Sequence, residues 1–249
     1  MHLDRTPSLT SPSGRALQVY LLGSVEFEDA LAFQRLLAFQ TGGEADSSTL
    51  ILCEHPPLIT VGREGSSDNI LFEPEELETR GWPVRWVNRG GGCLLHVPGQ
   101  LAIYPILALK ELNLGVTAYL EKLQRALIAL LRDFSITCEV KPSLAGLWVG
   151  NRMIASLGVA VRNWVAYFGA VLNVNPNLGH FRHIRTGGSE AAPMTSLERE
   201  RRGPLRPSLV RERFIDHFVA EFDFARTSLL FHHSFLQKKA PSNAIPVKS

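Results

Sequence analysis

The chain is poor in the features that announce a membrane span, a disulfide framework or a metal knuckle. No uninterrupted apolar run approaches the roughly 18 to 20 residues that a membrane helix needs. Cysteine is scarce, three among 249 residues. That odd number, without framework spacing, argues against a disulfide-stapled secreted domain and for a reducing compartment. No Cys/His spacing matches a zinc site, so neither a metal nor a cofactor is expected. The formal net charge is only +2, which leaves no electrostatic footprint for nucleic acid or a membrane surface. The opening MHLDRTPSLTSPSGR lacks the apolar h-region of a signal peptide, and residues 1–14 are expected to form a disordered tail. Together these absences predict a cytoplasmic protein.

What is present suits a globular fold. Hydrophobic residues make up 45% and charged residues 20%, ordinary values for a packed domain, and the length permits a substantial core. No internal repeat and no composition shift divides the chain, so a single domain over 15–233 is expected, followed by a tail over 234–249. Ala16 to Leu22, Leu50 to Cys53, Val84 to Val87 and Leu101 to Leu107 have the character of strands. Phe27, Ala30, Leu31, Leu37 and Ala38 fall at helical spacing, and Pro74 to Arg80 suggests a short helix with proline in its first turn. The clearest amphipathic helix runs from Val116 to Phe134. Strand-like runs follow at Leu144 to Val149, Met153 to Val161 and Trp164 to Val174. They are broken at Gly150-Asn151 and Arg162-Asn163, where asparagine suits a tight hairpin. Gly187-Gly188 and Glu198 to Arg206 have the composition of a surface loop, and Leu209 to Phe222 that of a last helix. This mixture predicts an α+β fold, a mixed, largely antiparallel sheet flanked by helices. Trp148 and Trp164 are expected in its core.

The densest local signal is Asn88-Arg89-Gly90-Gly91-Gly92-Cys93-Leu94-Leu95-His96-Val97-Pro98-Gly99-Gln100-Leu101. Consecutive glycines forfeit backbone entropy, so they belong where the backbone bends sharply or approaches something closely. Arg89 before them and His96 after them suit a carbonyl or an anion. Either side chain has a plainer alternative, a surface ion pair for Arg89 and a turn hydrogen bond for His96. Cys53 and Cys138 are expected to be structural.

With four blocks in order, the chain resembles the lipoate-protein ligase B family, the lipoyl/octanoyl transferases of the wider biotin/lipoate ligase fold. The blocks are Glu54-His55-Pro56-Pro57 with Thr60-Val61-Gly62-Arg63; Arg89-Gly90-Gly91 with His96 and Pro98-Gly99-Gln100-Leu101, then Tyr104-Pro105-Ile106; Gly146 to Gly150 with Ile154-Ala155-Ser156-Leu157-Gly158; and Gly169 with Leu172-Asn173-Val174-Asn175. The resemblance implies transfer of an octanoyl group from octanoyl-acyl carrier protein to a lysine on a lipoyl-domain protein, through a thioester on a cysteine whose pKa a lysine lowers.

This chain departs from the family where that chemistry sits. Met153 stands in the lysine position and Gly187 in the cysteine position; neither performs acid–base or nucleophilic work. Phe168 replaces a usual histidine, and Gly92, Leu94, Leu95 and Val97 replace residues usual in the opening loop. Three readings follow. The protein is a catalytically impaired member that keeps acyl and lipoyl-domain binding; or it is an active transferase with a relocated nucleophile, Cys93, whose thiolate Arg89 and His96 favour; or it has a lipoate- or biotin-ligase activity. The expected acyl site comprises Arg89, Gly90, Gly91, Gly92, Cys93, Leu94, Leu95, His96, Ser156, Leu157, Gly158, Gly169, Ala170 and Val171. Met153 adds apolar lining, and backbone amides at Ser156 to Gly158 and at Gly169 receive the carbonyl.

Overall fold

The computed structural model describes residues 14–43, 48–141, 146–186 and 193–237. Strand β1 (Ala16–Ser24) leads into α1 (Phe27–Gly43) and β2 (Ser48–Glu54). Then come β3 (Leu58–Val61), α2 (Pro74–Arg80), β4 (Val84–Trp86), β5 (Cys93–His96) and β6 (Gln100–Ala108). After α3 (Val116–Asp133) the chain runs through β7 (Glu139–Val140), β8 (Gly146–Val149), β9 (Arg152–Arg162) and β10 (Val165–Asn173). It ends in α4 (Leu197–Arg201), α5 (Pro207–Phe222), β11 (Arg226–Leu230) and α6 (Ser234–Gln237).

Eight strands form one sheet in the order β11-β1-β2-β6-β10-β9-β8-β7, and β4-β3-β5 form a second. In the large sheet only the β11–β1 and β1–β2 pairs are parallel. Period-two alternation divides the apolar side chains between its faces. Leu50 and Leu52 of β2 meet α3 and α5, whereas Ile51 and Cys53 meet α1. The stripe anticipated on α3 is buried as Tyr119, Leu123, Ala126, Leu127, Leu130 and Leu131. It packs beside Val210, Phe214, Phe218 and Phe222 of α5. A third apolar cluster lies under the small sheet and contains Ile59, Val61, Phe72, Cys93, Leu95, Trp148, Met153, Phe181, Ile184 and Met194.

Several expectations are corrected. Cys93–His96, taken as part of the glycine loop, is strand β5, paired antiparallel with β3. Glu198 to Arg206, taken as loop, begins with the helix α4, capped by Ser196. The start of the expected tail is α6, whose Phe235 stacks on Phe33 with ring centroids 6.1 Å apart. Trp164 is 57% exposed rather than core. It forms, with Asn163, the turn between β9 and β10, and φ is +50° at Asn163 and +64° at Trp164. Two consecutive positive φ values make the mirror-image turn that matches strand twist in a two-residue hairpin. Trp148 is buried as expected.

One residue breaks the alternation along β10. Ala166, Ala170 and Leu172 belong to the α3–α5 face, and period two sends Phe168 with them. Phe168 instead packs on the α1 side with Tyr104 and Phe27. Its φ is +57°, a left-handed backbone that bulky residues adopt only when surroundings impose it. The neighbouring strand shows why. The β6–β10 pairing runs through Ala166↔Leu107, resumes at Ala170↔Ile103, and is interrupted between them. That interval of β6 contains Pro105, which has no N–H to give the ladder. The Phe168 amide turns away to donate to Gln34 Oε1 at 2.9 Å.

Candidate active site

The glycine loop is held on two sides. Toward the small sheet, Gly62 N–H donates to Gly92 O (3.1 Å), Arg63 N–H to Arg89 O (2.9 Å) and Glu64 N–H to Gly91 O (3.2 Å). Toward the large sheet, Gly90 N–H donates to Val159 O of β9 at 2.9 Å. These contacts set the glycine requirements. Gly91 has φ +78°, where a side chain is strained. On β9, a Cβ at Gly158 would lie 2.6 Å from Gly90 O, so the loop approaches this closely only because position 158 has no side chain.

Between the loop, β5, β9 and β10 lies a narrow cleft, about 470 Å³ when the part open to solvent is counted. Of the residues expected at an acyl site, Arg89, Gly91, Gly92, Cys93, Leu94, His96, Ser156, Leu157, Gly158, Gly169, Ala170 and Val171 line it. Gly90 and Leu95 do not. Gly90 is the loop's tether to β9, and alternation along β5 turns Leu95 into the third cluster, away from Leu94. Met153, expected along the slot, also packs in that third cluster and is fully buried. Its backbone makes an isolated bridge to the segment Pro193–Thr195, Met153 N–H donating to Pro193 O and Thr195 N–H to Met153 O, both 2.9 Å. Arg152 beside it faces the other way, as strand alternation requires, in a paired contact with Glu200 at 3.0 Å. Gly187 lies outside the described residues. Ser156, Leu157 and Gly158 sit in the β9–β10 ladder opposite Val171, Ala170 and Gly169.

Phe168, noted as standing where the family has histidine, also lines the cavity, whereas sequence reasoning missed Phe27, Tyr104 and Thr186 as lining residues. Tyr104 lies inside an apolar strand pattern and, like His55, entered only as part of a motif; His55 proves to be its partner. The His55 Nδ1–H donates to Val25 O at 2.7 Å, which leaves Nε2 to accept from the Tyr104 hydroxyl at 2.9 Å. Burial pushes His55 down to about 4, against a smaller opposing effect of the Val25 carbonyl.

Arg89 is buried, and its guanidinium is committed to the protein. It donates to Gly90 O (3.0 Å), Thr60 O (3.1 Å) and Thr60 Oγ1 (2.8 Å). None of these acceptors is a carboxylate, and burial lowers its pKa to about 10. Thr60 Oγ1 also lies 3.1 Å from His96 Nε2. His96 is held well below its ordinary pKa, first by burial and then by His55 and Arg89, so it is neutral at pH 7. It supplies no cation to Cys93. The Cys93 thiol donates to Ser66 O at 3.4 Å. Its pKa is raised, because burial outweighs the opposing effects of Arg89 and of that hydrogen bond. Of the two groups expected to favour the Cys93 thiolate, Arg89 acts in that direction but is outweighed by burial, and His96 contributes nothing. Burial likewise pushes up the Cys53 and Cys138 thiols.

Among the described residues no group of three or more His, Cys, Asp or Glu is placed to hold a metal ion. No helix there is long and apolar enough to cross a membrane. Chemically, the arrangement is a slot lined by apolar side chains, a neutral imidazole, hydroxyls and a fixed guanidinium.

Residues 26–219 match the family model described as the lipoyl protein ligase A/B catalytic domain. An octanoyltransferase of Solibacter usitatus is 40% identical over 205 residues, covering 82% of this chain and 91% of that protein. One of Myxococcus xanthus is 36% identical over 216 residues, 84% of this chain but only 60% of that longer protein. Among solved structures, lipoate-protein ligase A bound with ATP superposes with a TM-score of 0.72 at 14% identity, covering 90% of this chain and 91% of that one. At that identity the likeness shows a shared fold.

Proposed function

Because the chain belongs to the lipoyl protein ligase A/B family and has octanoyltransferases among its relatives, we propose that the slot beneath the glycine loop binds an octanoyl-type acyl chain. The octanoyl group arrives on acyl carrier protein, and the lipoyl domain is the second partner. The observation that carries this reading is the cavity itself, bordered by Leu94, Leu157, Phe168, Ala170 and Val171. An eight-carbon chain buried at about 0.8 kcal/mol per methylene gains roughly 6 kcal/mol of transfer free energy, enough for a recognition site.

We propose further that transfer by the family's Cys–Lys route does not operate. The side chain in the lysine position, Met153, carries no charge and packs against Ser156 Oγ (3.1 Å to its sulfur) and the third apolar cluster. Gly187, in the cysteine position, has no side chain. Transfer on Cys93 gains no support from a buried thiol of raised pKa. A ligase-type reaction lacks the same lysine. Incubation with octanoyl-acyl carrier protein and apo lipoyl domain, followed by intact mass, tests the reading. The expected result is a non-covalent complex with the octanoyl carrier and no octanoylated lipoyl domain. Robust octanoylation would sink the impaired reading, and its loss in Cys93→Ala would move the chemistry to that thiol. The double change Met153→Lys with Gly187→Cys asks whether the scaffold is otherwise competent; its failure to transfer would point to deeper divergence of the pocket, including Phe168.

A further inference from the structure

The slot has an open end and a closed one. Of its lining residues, Gly92, Ser156 and Gly158 are partly exposed, whereas Phe27, His96, Tyr104 and Phe168 are buried. A chain entering beside the glycine loop therefore runs up against rings of the α1 side. His96 backs on Thr60 of the small sheet, and Tyr104 and Phe168 back on the α1-side cluster. Phe27 differs. Among the described residues that line the slot, it alone also lines a second cavity, a surface groove of about 690 Å³ when its open side is counted.

The partition between the two is thin. Phe27 opens α1, and its neighbours Glu26 and Glu28 line the groove, while its ring centroid lies 5.7 Å from that of His96 in the slot. From the other side, Leu58 of the groove is paired directly across β3–β5 with His96. That pairing puts the two side chains on one face, within about 5.5 Å at Cβ. The groove itself suits hydrocarbon, since Pro56, Pro57, Leu58, Trp82 and Pro83 line it. Two of its charged residues, Arg85 and Glu28, pair with each other at 2.6 Å, and Arg80 pairs with Glu76 while lying 5.1 Å over the Trp82 ring.

We propose that Phe27 sets the length of acyl chain that the slot accepts. Its ring is the end wall against which the terminal methyl rests, and removing the ring joins the slot to the groove. The inference rests on the acyl-binding reading above and adds a length limit to it. Each methylene admitted to the slot strengthens binding about fourfold. A methylene stopped by the ring gains nothing, and one forced past it overpacks the α1-side cluster. A smaller side chain at Tyr104 or Phe168 would leave a closed void in the interior; a smaller one at position 27 leads outside.

The test is isothermal titration with hexanoyl-, octanoyl-, decanoyl- and dodecanoyl-pantetheine thioesters. In wild type, affinity is expected to rise about 15-fold from hexanoyl to octanoyl and to level off beyond it. In Phe27→Ala the rise continues through dodecanoyl. Because that truncation removes core volume, the milder Phe27→Leu is measured beside it and is expected to carry the rise as far as decanoyl. A dodecanoyl probe with a terminal diazirine locates the far end of the chain. After irradiation it is expected to label Pro56 to Leu58 or Trp82 to Arg85 in Phe27→Ala and to leave both segments unlabelled in wild type. A wild type whose affinity climbs through dodecanoyl, or variants that level off where wild type does, would overturn the role of Phe27 and leave the acyl slot standing. Labelling around Tyr104 and Phe168 in Phe27→Ala, with the groove unlabelled, would likewise overturn the passage into the groove. A wild-type protein that binds none of the four thioesters overturns both readings.

Discussion

The two histidines behind the cavity make a pH prediction that can be worked through. His55 is buried beneath Phe27 and Tyr104 and takes up a proton near pH 4 in the folded chain, against 6.5 for the ordinary side chain. The unfolded chain therefore binds the proton first, and folding stability falls as pH drops through the window from about 6.5 to about 4. At 1.36 kcal/mol per unit, a displacement of about 2.5 units amounts to roughly 3 kcal/mol when the window has been crossed. Between pH 7.5 and pH 5 the same two-state titration gives about 2 kcal/mol from His55 alone. His96 shifts in the same direction and adds to the loss. Urea denaturation at pH 7.5 and pH 5, compared between wild type and His55→Gln, isolates this contribution. Glutamine is uncharged at both values, so its own cost at pH 7.5, from the lost Tyr104 and Val25 partners, cancels in the difference. The wild type is expected to lose about 2 kcal/mol more than the variant across that interval. A variant that loses stability as steeply as wild type would refute the buried neutral imidazole.

Other consequences are as direct. Gly158→Ala places a methyl 2.6 Å from the Gly90 carbonyl and 3.3 Å from Arg89 Cδ; overpacking of this kind costs about 1–3 kcal/mol, readable as a lowered urea midpoint. Cys93 is expected to react with iodoacetamide at pH 7.5 more slowly than a free thiol, because burial holds it protonated; peptide mapping over time shows the order, and fast alkylation would contradict it. Met153→Lys alone buries an ammonium among Trp148, Phe181, Ile184 and Met194 and is expected to cost about 3 kcal/mol at pH 7, from a depression of the lysine pKa by about two units. The folded lysine sheds its proton before the unfolded one, so this loss shrinks as pH rises toward 10, which paired denaturation curves at pH 7 and pH 9.5 measure.

Elements with long repeats were legible in the sequence, and elements defined by partners were not. The stripe from Tyr119 to Leu131 repeats over 18 residues of helix and needs no neighbour to be recognised. Strands β3 and β5 are four residues each and buried on both sides, so LITV and CLLH show neither period, and only their pairing with each other makes them strands. Strand β11 is largely exposed and exists as the parallel edge partner of β1. The cavity's near wall was visible in Arg89 to His96 because glycines report close approach. Its far wall hid behind chain reversals. Tyr104 sits in an apolar strand pattern that does not reveal its place in the wall; it lies with Phe27 and Phe168 only once the sheet is assembled. Thr186 carries no local pattern at all, and three-dimensional packing alone brings it to the cavity.

The left-handed turn of Phe168 has a consequence for how the slot is shaped. An ordinary strand lends a cavity every second residue, but here four in succession, Phe168, Gly169, Ala170 and Val171, border it. The outline of the wall follows the main chain between Pro105 on one side and Gln34 on the other, and the phenyl ring at 168 closes the slot toward the α1-side core, where it packs on Tyr104 and Tyr167. Under the proposed acyl-binding role, position 168 is therefore where the depth of the slot toward that core would be set. Trimming the phenyl ring is expected to deepen the slot at the cost of core packing on the α1 side, and a glycine there would relieve the strained φ of +57°.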